Sequence, residues 1–93
     1  GAVSAETAVA MAEGIRWIAQ TTYGLSVTGI AGPDGGSKEK PVGLVYIALA
    51  SEKGKTQWHR YTFEGDRWMI RTRAAQTALN LLRQHIGDVP KKA

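Results

Sequence analysis

Between Ser26 and Gly43 the chain reads SVTGIAGPDGGSKEKPVG, which sets five glycines and two prolines between a short apolar run and a longer one. Glycine lets backbone N–H groups approach a ligand closely and take up positive φ, so consecutive amides can form a nest for a phosphate or an oxyanion. The same composition suits an ordinary surface connection, with Asp34-Gly35-Gly36 as a turn and Lys38, Glu39 and Lys40 as solvated charge. Neither G-x-x-x-x-G-K-S/T nor G-x-G-x-x-G occurs here, so a nucleoside triphosphatase or a dinucleotide site has little support.

A second group of candidates follows Asp66. Arg67 falls in the first turn of a helix that Asp66 can cap, and Arg71 comes one turn later, where backbone donors and the helix dipole favour an anion. The alternative for Arg67 is a salt bridge with Asp66 or Glu64. His59 and His85 are the only histidines, and a structural or surface role is assigned to both. Trp17, Trp58 and Trp68 offer stacking surfaces for a planar ring, although in so small a fold tryptophans more often pack core and edges. No cluster has metal-ligand spacing.

The elements that position these residues follow from periodicity. Ser4 is an N-cap candidate, Glu6 lies in the first turn, and Ala8, Met11, Ala12, Ile15, Ile18 and Ala19 recur at helical spacing up to Gly24, which predicts a helix over residues 5 to 21. Leu25 to Ile30 reads as a short strand leading into the glycine-rich loop. Val42 to Ala50, VGLVYIALA, is an unbroken apolar run, as expected of a central strand with both faces covered. Ser51 to Gly54 has hairpin chemistry, and Lys55 to Glu64 reads as a more exposed partner strand. After Asp66, Ile70, Ala74, Thr77, Ala78, Leu81 and Leu82 form one stripe of a second helix that Gly87 and Pro90 end.

The expected order is therefore α-β-β-β-α, in one domain of 93 residues with residues 88 to 93 as a flexible tail. Two helices laid on one face would leave the other face of the central strand bare, so a partner chain or more of this chain is expected to cover it. The chain lacks cysteine, which excludes a disulfide framework, a zinc-thiolate site and a cysteine nucleophile, and makes the cytoplasm the expected setting. A net charge of +4 permits nucleic acid without demanding it.

The segments VTGIAGPDGG, KPVGLVYIAL, GAVSAETAVAMAEG and FEGDRWMIRTRAAQTALNLL together resemble the C-terminal part of the nicotinamide-nucleotide amidase family, the CinA C-terminal domain. The resemblance spans residues 1 to 85. It implies a three-layer α/β/α sandwich around a mixed sheet, of which this chain is an α-β-β-β-α portion. It also implies deamidation of nicotinamide mononucleotide to nicotinic acid mononucleotide and ammonia, with no cofactor and no metal.

Carried over by position, the resemblance makes Thr28 the pocket threonine near the nucleophile, Gly29, Ala31 and Gly32 the backbone lining the substrate, and Arg67 the substrate-binding arginine. The family's E-S-C-T-G-G segment, which carries its serine nucleophile, and its Y-S-N-x-x-K segment have no counterpart in this chain. Amide hydrolysis needs a nucleophile, a base and oxyanion donors, and only the donors are offered here. Thr28 is therefore expected to assist, and the upstream part of the domain to supply the nucleophile.

Two classes of function follow. One is the amidase, acting on a mononucleotide, with a homo-oligomer expected and no membrane involved. The rival is a nucleic-acid-binding or protein-interaction module, motivated by a pI near 9.7 and by Arg67, Arg71, Arg73 and Arg83 on one helix. It lacks a recognition motif, and its arginines point in several directions around the helix.

Overall fold

A computed structural model describes residues 3–30, 38 and 40–87 of the chain. The elements run α1 (Ala5–Ala19), β1 (Tyr23–Gly29), β2 (Leu44–Ser51), β3 (Gln57–Thr62) and α2 (Arg67–Ile86), the α-β-β-β-α order expected from the sequence. The tail from 88 onward and the heart of the glycine-rich loop, residues 31–37 and 39, lie outside the described residues.

Both helices begin where their caps predict. The Ser4 side chain accepts from the Thr7 N–H at 3.1 Å, and the Asp66 carboxylate accepts from the Met69 N–H at 2.9 Å, each satisfying a donor that helix geometry leaves unpaired. The end of α1 differs from expectation. It stops at Ala19, with Gln20 rather than a glycine in the left-handed conformation (φ 57°). Gly24 serves instead inside β1, where α1 crosses so closely that a Cβ would come within 2.2 Å of the Ala12 carbonyl oxygen.

The sheet has the order β1-β2-β3, and its described strands pair antiparallel throughout. On one rung Thr28, Tyr46 and Arg60 lie side by side, and on the next Val27, Ile47 and His59. Alternation therefore sorts β2 by face. Ala48 and Ala50 pack against Ala8 and Ala12 of α1. Val45 and Ile47 pack against Ile70, Ala74 and Ala78 of α2.

The helices consequently lie on opposite faces of the sheet, in three layers. This corrects the expectation that both would share one face and leave the other bare. The physical reason is size: the alanine surface of α1 fits the face where β2 presents alanines, and the larger Val45, Ile47 and Ile70 fill the gap beneath α2. Burying each of those larger side chains contributes about 1.5–3 kcal/mol. β3 is the more exposed strand, as expected from its charges.

Candidate functional site

β1 carries the T-G-I segment to the end of the sheet where α2 begins. Ile30 donates to the Leu44 carbonyl at 2.9 Å, and its own carbonyl accepts from Gly43 at 2.6 Å, so the chain is held against β2 up to the start of the loop. Phe63 donates to the Gly43 carbonyl at 2.9 Å, which brings the chain entering α2 to the same end.

Between the end of β1 and the first half of α2 lies a cavity of about 280 Å³, lined by Val27, Gly29, Ile30, Ile70, Arg71 and Ala75 among others. Its wall is mainly apolar, and among the described residues Arg71 is its one charged lining residue. That is the composition of a small-molecule site, in which an apolar wall accepts a ring and one charged group fixes orientation.

The sequence candidates divide across this geometry. Gly29 lines the cavity. Ala31 and Gly32 lie outside the described residues. Arg67 is exposed in the first turn of α2, one turn before Arg71 and on the same side of the helix, but does not itself line the cavity. Asp66 is engaged in capping α2 through Met69, and among the described residues neither arginine is drawn into an ion pair.

Thr28 is placed differently. Ser26, two residues earlier, points to α1 and donates to the Ala8 carbonyl, so alternation puts the Thr28 side chain on the α1 face, while Val27 and Gly29 line the cavity on the α2 face. Thr28 and Arg71 therefore lie on opposite faces of the sheet. Arg71 is the cavity residue that motif matching did not single out as binding substrate. Its spacing one turn after Arg67 was the available signal.

The histidines lie on a different stretch of the α2 face. Gln57 Nε2 is 2.9 Å from His85 Nδ1, His59 faces Gln57, and Tyr23 meets the His85 ring edge-on at 5.5 Å. These contacts join β3 to the far end of α2, away from Gly29, and give both histidines structural partners. Arg83 is held by Asn80 at 2.9 Å near that same end, so the arginines of α2 do not form one basic patch. Among the described residues no group of three or more metal-type side chains converges, and no helix is long and apolar enough to cross a membrane.

Known proteins place this geometry in a family. Residues 1–86 match the CinA C-terminal domain. The chain is 54% identical over 89 residues to a CinA-like protein of Myxococcus xanthus, covering 96% of this chain and 21% of that protein. It is 56% identical over 88 residues to a CinA-like protein of Syntrophomonas wolfei, covering 95% and 21%. Among solved structures, it resembles the competence/damage inducible protein CihA of Agrobacterium tumefaciens, with a TM-score of 0.87, 42% identity, and coverage of 90% of this chain and 52% of that one. The CinA superfamily protein of Enterobacter cloacae gives a TM-score of 0.85 at 35% identity, covering 92% and 50%. The chain thus spans about a fifth of the curated relatives and half of the solved ones, and with an α/β fold matching theirs it belongs to the CinA C-terminal domain family.

Proposed function

We propose that the domain to which this chain contributes hydrolyses the carboxamide of nicotinamide mononucleotide, yielding nicotinic acid mononucleotide and ammonia. In this reading the chain supplies the nucleotide-binding half of the site. The observation that carries it is the cavity joining the T-G-I segment to Arg71: an apolar wall for a pyridine ring beside a guanidinium suited to a phosphate.

The reaction adds water across the C–N bond. A nucleophile attacks the carboxamide carbon, the oxyanion that develops is held by backbone N–H groups, the amine leaves as ammonia once it has taken a proton, and water then hydrolyses the ester left on the nucleophile to release the acid. The nucleophile is a serine outside this chain. The end of β1 and the loop it opens supply donors, while Arg71, with Arg67 one turn nearer the helix start, holds the phosphate. Thr28, near the end of β1, is a hydrogen-bonding residue rather than the attacking group, because a threonine nucleophile is usually activated by an N-terminal amine, which an internal residue lacks.

The test is ammonia release from nicotinamide mononucleotide by the intact gene product. Turnover is expected; its absence, with the protein folded, would overturn the amidase reading.

A further inference from the structure

The cavity between the end of β1 and α2 is lined by three small residues, Gly29 on the strand and Ala74 and Ala75 on the helix. Packing dictates the size of two of them. A Cβ on Gly29 would come within 2.7 Å of the Leu44 carbonyl oxygen and 2.8 Å of Val45 Cγ2, so the close approach of β2 is enough to demand glycine there. Ala74 is buried with Ile70 and Ala78 where α2 rests on Val45 and Ile47, and a longer side chain would push the helix off the sheet.

Ala75 is under no such demand. It lies about 100° round α2 from Ala74, is exposed, and lines the cavity. Arg71 and Leu79 stand one turn before it and one turn after it on the same flank, both long and both exposed. That flank of the helix therefore accepts long side chains, and what one at position 75 would fill is the cavity itself. Helix propensity does not explain the choice either, because leucine forms helices nearly as well as alanine.

We propose that Ala75 is a specificity-determining residue of the site, whose short side chain leaves the width that a planar six-membered ring needs beside Arg71. The proposal rests on the amidase reading and deepens it. Val27, Ile30 and Ile70 line other parts of the cavity, and its volume of about 280 Å³ is at the small end for ligand pockets, so growth at position 75 removes room the ring requires. The ring occupies that room in the ground state and in the transition state alike, so its loss falls on KM more than on kcat.

The test is the KM of the intact gene product for nicotinamide mononucleotide, read by ammonia release, in Ala75→Ser and Ala75→Leu. Gln76→Leu, exposed on α2 and outside the cavity lining, is the control. Ala75→Leu is expected to raise KM about 10-fold or more with a smaller change in kcat and an unchanged melting temperature, Ala75→Ser to raise it less, and Gln76→Leu to leave it as it is. Turnover with an unchanged KM in Ala75→Leu, or with an equal rise in Gln76→Leu, would overturn the proposal and leave the amidase reading standing. Absence of turnover by the folded wild-type protein would overturn both together.

Discussion

The Ser26 hydroxyl donates to the Ala8 carbonyl oxygen at 2.6 Å, fastening the first turns of α1 to the middle of β1 beside a cluster of buried alanines. Ser26 is buried, and its partner carbonyl is also part of the helix ladder, so the bond adds to α1 rather than replacing a helical one. Ser26→Ala is expected to cost about 1 kcal/mol, read as a lower denaturant midpoint at unchanged slope.

Gly43 should be far less tolerant. Its φ is +95°, and a Cβ there would sit 2.0 Å from the Phe63 carbonyl oxygen, which is backbone and cannot swing aside. Gly43→Ala is expected to destabilise by more than about 2 kcal/mol, or to abolish soluble protein; near-unchanged melting would refute the geometry at the start of β2.

Ile70 joins α2 to Val45 and Ile47 and lines the cavity from below. Ile70→Ala is expected to cost about 2–5 kcal/mol in thermal or chemical denaturation and to weaken substrate binding by enlarging the cavity. Trp68, two residues earlier but 72% exposed within this chain, separates stability from site shape: Trp68→Ala should leave substrate KM unchanged.

Much of the fold was legible because its signals are local. Ser4 and Asp66 cap the helices they were expected to cap, and the apolar run at Val42 to Ala50 holds all of the central strand but its last residue, Ser51. The sides taken by the helices were missed, since an unbroken apolar strand does not state which helix covers which face. The signal was present in size, with Ala48 and Ala50 alternating with Val45, Ile47 and Leu49. Gly24 was read as a helix stop because glycine commonly ends helices, whereas its use is the close approach of the Ala12 carbonyl of α1, which only tertiary packing reveals. The expectation of a sheet face left bare does not hold, since α1 covers one face and α2 the other.

Of the candidate site residues, Gly29, named from the T-G-I motif, lines the cavity, and so does Arg71, whereas the G-D-R motif directs attention to Arg67, which does not. Distinguishing them takes the path of α2 across the sheet, which spacing alone does not give.

The most direct test of the central claim is the KM of the intact protein for nicotinamide mononucleotide in Arg71→Ala and Arg67→Ala variants. A phosphate held by a charge-assisted contact at the cavity predicts that Arg71→Ala raises KM by about 10- to 100-fold, with Arg67→Ala also raising it and kcat changing less. Unchanged KM in both variants would contradict the placement of the nucleotide between the end of β1 and the first turns of α2.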